Sequence, residues 1–153
     1  MKVNLGAGDC LIEGYDNLDA KTGDCIYPLS RTNLEEIRAS HILEHFGQEE
    51  SYDVLVNWTT CLADGGVLKI AVPDFDELVR LYTSGYQLDF ESVIMGGQSD
   101  EYDYHKSMWT ADKLRFMMEQ CGLTDIKTWQ SNEQDCAAYP FSLNLQGVKS
   151  CQG

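Results

Sequence analysis

The chain has 153 residues, of which 43% are hydrophobic and 24% charged, the make-up of an ordinary globular protein and the length of one domain, residues 1–153. Its formal net charge of −14 repels polyphosphate, which excludes nucleic acid as an expected partner, and mildly favours a cationic ligand. No apolar run reaches the length of a membrane span, and no charged-then-apolar leader opens the chain, so a cytoplasmic protein without a membrane partner is expected, its six cysteines, none in a CxxC pair, reduced.

A short β-type run, Lys2 to Leu5, ends in Gly6-Ala7-Gly8, and a second ends at Asp19. Glycines after a first strand let a ligand approach the backbone, and a carboxylate ending the second can accept both hydroxyls of a ribose. The dinucleotide fingerprint wants a third glycine where Leu11 stands, so a nicotinamide cofactor is a minor reading. Asp9 to Gly14 leaves no room for a crossover helix, which usually needs a dozen residues or more. Asp24 marks at most a very short third strand.

Asn33 to Ala39 reads as a strand, leading into Ser40-His-Ile-Leu-Glu-His-Phe46. Leu55, Trp58 and Leu62 share a helical stripe over about Glu49 to Ala63, with Asp64-Gly65-Gly66 as its terminator. Val67 to Val72 is a buried strand. Asp74, with Glu77 three residues later, opens another helix whose inner face is Leu78, Leu81 and Tyr82 and whose end is Gly85. Gln87 to Met95 is a further short helix. Thr110 is the expected N-cap of a helix carrying Leu114, Met117, Met118 and Cys121 and ended by Gly122. Asp125 to Trp129 is a strand, and the alternation from Phe141 to Gln146 is that of a half-buried, antiparallel one. The pattern is α/β with a mixed sheet.

These blocks together resemble one family. Asn4-Leu-Gly-Ala-Gly8, Asp19, Asp24 ahead of Pro28-Leu29, Ser40 to Phe46, Ala63 to Asp74 and the closing pair of strands are similar to the class I S-adenosylmethionine-dependent methyltransferases, and among them to the compact group with NLGCG and SHxLEHF motifs. Nearly the whole chain is covered. The resemblance implies a Rossmann-like, seven-stranded, mostly parallel sheet with an antiparallel last strand, and connections after strands one and two reduced to loops. It implies S-adenosylmethionine as cofactor. Asn4, Gly6, Ala7 and Gly8 would meet its methionine part, Asp19 the ribose, Asp24 the adenine amino group, and Ser40 and His41 the donated methyl.

Methyl transfer needs an in-line nucleophile and, for a hydroxyl or amine acceptor, a base. Histidine titrates in the right range, and His41 and His105 are the candidate catalytic residues. His45, Asp74 and Tyr104 are candidates for binding a small-molecule or sugar-containing acceptor. The polar loop from Gly96 to His105 suits a lid. A monomer or homodimer is expected. Two rivals stand beside this reading. His41-Ile-Leu-Glu-His45 matches an H-x-x-E-H zinc peptidase pattern, but no third ligand is evident and no metal is expected. The other rival is a catalytically inert adenosyl-nucleoside-binding module.

Overall fold

The computed structural model describes residues 1–151. Six strands form one sheet in the order β2-β1-β3-β4-β6-β5. They are β1 (Lys2–Leu5), β2 (Asp16–Leu18), β3 (Leu34–Ser40), β4 (Leu62–Pro73), β5 (Leu123–Thr128) and β6 (Ser142–Lys149). The first four run parallel to one another, and β6 is antiparallel to both of its neighbours. The sheet is therefore mixed α/β and Rossmann-like, as expected, with six strands rather than seven. The stretch around Asp24 is no strand. It is spent on a 3-10 turn, Ala20–Thr22, closed by Gly23 in the left-handed region, and holds no apolar alternation for a sheet edge to bury.

Among the described residues there are four helices, α1 (Gln48–Cys61), α2 (Phe75–Thr83), α3 (Phe90–Met95) and α4 (Ala111–Gln120); α1 and α4 pack on the sheet, and α2 and α3 form a smaller cluster beside it. Glu49 and Glu50 sit in the first turn of α1, where the helix dipole favours them. Its buried stripe is Val54, Leu55, Trp58 and Cys61. Trp58 donates its indole N–H to Ile26 O at 2.9 Å, which pins the segment after β2 to the helix. Thr110 caps α4 through Lys113 N, and Leu114 and Met118 are buried beneath it. Asp74 caps α2 by accepting from Asp76 N and Glu77 N. Leu78 and Leu81 face inward against Phe141, whereas Tyr82, expected beside them, is exposed and meets Phe90 edge to face.

The end of α1 differs from expectation. The chain is already extended at Leu62 and passes without a turn into β4. Asp64-Gly65-Gly66 is a bulge in that strand: Leu34 pairs with Leu62, but Glu36 pairs with Val67. Gly65 takes the left-handed conformation. A Cβ on Gly66 would lie 2.7 Å from Leu34 O, so the glycine is required by close backbone approach and not by a helix cap.

The segment between β5 and β6 is anchored by an ion pair. Arg38 Nη2 lies 2.5 Å from Asp135 Oδ2, both side chains at least nine-tenths buried, and the guanidinium stacks over Trp129. Burial works against the Asp135 charge, but hydrogen bonds from Arg38 and Ser131 hold its carboxyl below the usual range.

Two predictions follow from this packing. Leu143 pairs with Val72 and is 7% exposed. Leu143→Asp should cost about 3–5 kcal/mol of stability in urea unfolding, from the lost apolar burial and a charge without a partner. An equally stable variant would overturn the placement of β6. A depressed carboxyl stabilises above its unfolded value, near 3.8, and loses that contribution as pH falls through the folded value. Between about pH 4 and pH 2, the melting temperature of the wild type should therefore fall more steeply than that of Asp135→Asn. Parallel melting curves would refute the pairing as the source of the shift.

Candidate functional site

The turn after β1 is built from two glycines in the left-handed region, Gly6 (φ 65°) and Gly8 (φ 50°), which only glycine adopts cheaply. Ala7 N donates to Leu18 O at 3.0 Å. Gly8 N donates to Asp19 Oδ2 at 2.7 Å, and Asp19 Oδ1 accepts from Lys21 N at 2.8 Å. One carboxylate thus joins the ends of β1 and β2 and caps the 3-10 turn. Asp24 is folded into the same corner: its Oδ2 accepts from Asp19 N at 3.0 Å and from Thr22 Oγ1 at 3.0 Å. These bonds hold its carboxyl below the usual range. A Cβ on Gly6 would fall 1.8 Å from Ile42 Cδ1, so Ile42, from the segment after β3, lies directly over the turn.

Two hollows meet at this turn, and Gly6 and Gly8 line both. The first, of about 460 Å³, has Ile26, Tyr27, Ile42 and Phe46 among its walls and Asp19 at its rim. Tyr27 meets Phe46 edge to face at 5.6 Å. The second, of about 690 Å³, is lined by Asn4, Ala7, Arg38, Ser40 and Tyr139 among others. An apolar slot with a carboxylate at its rim suits a nucleoside, and volumes of this order suit small molecules.

Asn4 supports the turn from below. Its Nδ2 donates to Cys10 O and Asn17 Oδ1, and its Oδ1 accepts from Arg38. Its polar atoms are thus all engaged within the protein, at the floor of the second hollow. Tyr104 lines the first hollow beside Tyr102. The loop that carries them is braced internally by Ser99 Oγ to Asp103 Oδ2 at 2.9 Å. It reaches across to the β2 corner through Lys21 Nζ and Asp100 Oδ2, 2.7 Å apart. Asp74 borders neither hollow, its carboxylate being engaged as the cap of α2.

The three histidines converge on Glu44, which the sequence marked only as the base of the H-x-x-E-H alternative. His41 Nδ1 is 3.2 Å and His105 Nε2 3.9 Å from Glu44 Oε1. The His45 and His105 rings meet edge to face at 4.8 Å. His45 lines the first hollow, while His41 and His105 border neither of the two. Burial pushes the His105 imidazole down, with Glu44 partly opposing. His41 is in the left-handed region, φ 54°, with its Nε2 2.9 Å from Ser142 Oγ. The H-x-x-E-H stretch is not helical as a zinc peptidase would need: only Leu43–His45 form a single 3-10 turn. Arg38 and Asp135 were also unmarked by any motif, since a buried pair 97 residues apart leaves no local signal. Lys21 with Asp100 is the same case.

No protein-family model and no curated protein sequence matches the chain. Solved structures do. The S-adenosylmethionine-dependent methyltransferase SibL superposes with a TM-score of 0.65 at 13% identity, over 98% of this chain and 50% of its own. A methyltransferase of Thermotoga maritima, described as a possible histamine N-methyltransferase, gives 0.60 at 15% identity, over 97% of this chain and 82% of its own. A possible exported protein from Bordetella parapertussis gives 0.56 at 9% identity, over 84% of this chain. The chain spans half the length of SibL and 43% of the Bordetella protein. At these identities the likeness is one of fold: the chain is built on the Rossmann-like fold of S-adenosylmethionine-dependent methyltransferases.

Proposed function

We propose that the chain binds S-adenosylmethionine and transfers its methyl group to a small-molecule or sugar-containing acceptor. The observation that carries this reading is the corner where Gly8 N meets Asp19 Oδ2 at 2.7 Å, at the rim of an apolar slot. Each Asp19 oxygen takes one backbone N–H and keeps lone-pair capacity for a ribose hydroxyl. The adenine would lie against Ile42 and Phe46; Asp24 borders neither hollow, so only its free oxygen, beyond the slot, would be left as partner for the amino group. The methionine part would cross the bare backbone of Gly6 to Gly8 toward Asn4 and Ser40 in the second hollow. A sulfonium is cationic, and the net charge of −14 favours its approach.

When bound, S-adenosylmethionine would supply an electrophilic sulfonium methyl for an acceptor oxygen or nitrogen, with neutral S-adenosylhomocysteine as the leaving group. The donor is already activated, so the chain's main task is to hold the nucleophile about 3–3.5 Å from the methyl. Tyr104 and His45, on the wall of the first hollow, are the acceptor-facing side chains. His41 and His105, the candidate bases, border neither hollow and would receive the acceptor's proton only by relay through His45, with no metal bound there.

Calorimetric titration with S-adenosylhomocysteine tests this. Asp19→Ala should weaken binding by about 2–4 kcal/mol, roughly thirty- to a thousand-fold. Asp19→Asn, which keeps one oxygen acceptor, should lose less. No binding to the wild type at millimolar ligand would overturn the reading, and equal binding by all three proteins would remove Asp19 from the ribose. The close approach of Ile42 gives a second prediction. Gly6→Ala places a methyl into the Ile42 side chain at a strained φ, and should weaken the same ligand at least about tenfold, or 1.4 kcal/mol. In an Ile42→Ala background, which itself loses an adenine contact, Gly6→Ala should cost less than in the wild type, because the clash is gone and only the strain remains. An equal cost in both backgrounds would mean that backbone strain alone sets the effect.

A further inference from the structure

Glu44 is 1% exposed, and neither of its carboxylate oxygens has a hydrogen-bond partner. A buried carboxylate is costly unless it is paired or bound to a metal. His45 Nδ1 is likewise buried without a partner. Glu44, His45 and His105 each offer one ligand atom, and these atoms lie within 4.8 Å of one another. The backbone holds the two segments together, since Lys106 N and Ser107 N both donate to Glu44 O, at 2.7 and 3.2 Å.

His41 adds an independent argument. Asn144 donates its amide to Ala137 O, so its Oδ1 takes the Ser142 hydroxyl proton. Ser142 Oγ must then accept from His41 Nε2–H. A neutral His41 ring consequently turns a lone pair at Nδ1 toward Glu44 Oε1, 3.2 Å away. Facing lone pairs in a buried place call for a proton or a cation between them; a proton on His41 Nδ1 would pair Glu44 Oε1 but leave Glu44 Oε2 and His45 Nδ1 without partners.

We propose that Glu44, His45 and His105 bind a divalent transition-metal ion, zinc being the first choice. Two imidazoles and a carboxylate are a borderline donor set that suits zinc, and three protein ligands leave a coordination position for water or an acceptor oxygen. Ligand bonds of about 2 Å need the donor atoms to close in slightly, a side-chain rotation from the 3.9 Å already separating His105 Nε2 and Glu44 Oε1. The site borders the first hollow through His45. The ligand set differs from that of the peptidase pattern, in which both histidines of H-x-x-E-H would ligate and the glutamate would act as base. The proposal is independent of the cofactor reading, and either can fail alone.

The test starts from chelator-treated, full-length protein titrated with zinc by calorimetry and with cobalt by visible absorption. The wild type should bind one equivalent, raise its melting temperature with zinc, and show cobalt d–d bands without thiolate charge-transfer bands. Glu44→Gln and His105→Gln should each lose at least about a hundredfold in affinity while keeping the wild-type circular dichroism spectrum. Cys25→Ser, at an exposed thiol, should change nothing. The proposal is overturned if the wild type binds no zinc, if binding survives Glu44→Gln, or if cobalt reports thiolate ligation. Should a glutamine variant fail to fold, the ligand bands of the wild-type cobalt complex decide alone.

Discussion

A single carboxylate sets the geometry of this molecule's ligand-facing edge. Asp19 takes a backbone N–H from Gly8 on one oxygen and from Lys21 on the other, so the ends of two parallel strands are fixed to each other without a helix between them. Charge-assisted bonds of this kind are about twice as strong as neutral ones. They stand in for the packing that a crossover helix would otherwise supply. Everything arranged around the turn depends on this: the bare glycine backbone, Ile42 lying over Gly6, and the division of the edge into two hollows that share one wall.

The reduced connections have a cost on the other face. Where a full helix after β1 would cover the sheet, the second hollow opens and the interior polar groups of β1 and β3 need another cover. The segment before β6 provides it. Asp135 reaches Arg38 from beyond β5, Ser131 adds a second acceptor, and Trp129 stacks on the guanidinium. A buried pair of this kind is weak evidence for net stability but strongly destabilising to break on one side. It fixes the position of the covering segment over Asn4, and through Asn4 the base of the glycine turn.

Most of the architecture was legible in local patterns because local physics decided it. Thr110 and Asp74 cap helices where their spacing said they would, and the alternation at Phe141, Leu143 and Leu145 buries those side chains. Where two local rules competed, tertiary structure chose. Asp64-Gly65-Gly66 has the composition of a helix terminator, yet the register of β3 against β4 turns it into a bulge. The third strand is missing because nothing in residues 20–33 can alternate. The site was legible in part. The Gly6 to Gly8 turn and Asp19, both marked in the sequence, come together at one corner, whereas the approach of His105 to the His41–His45 stretch joins positions up to 64 residues apart and lies beyond any spacing rule.

His41 sits at the end of β3 with a positive φ, a conformation that costs a side-chain-bearing residue on the order of 1 kcal/mol or more. Glycine would relieve that strain and, by the same change, remove the ring that lies between Glu44 and Ser142. The position therefore sets two demands against each other, one on backbone energy and one on side-chain chemistry. A stability-driven redesign that scored only the fold would be drawn to residue 41, and would dismantle there the polar cluster that distinguishes this edge of the sheet from plain scaffold.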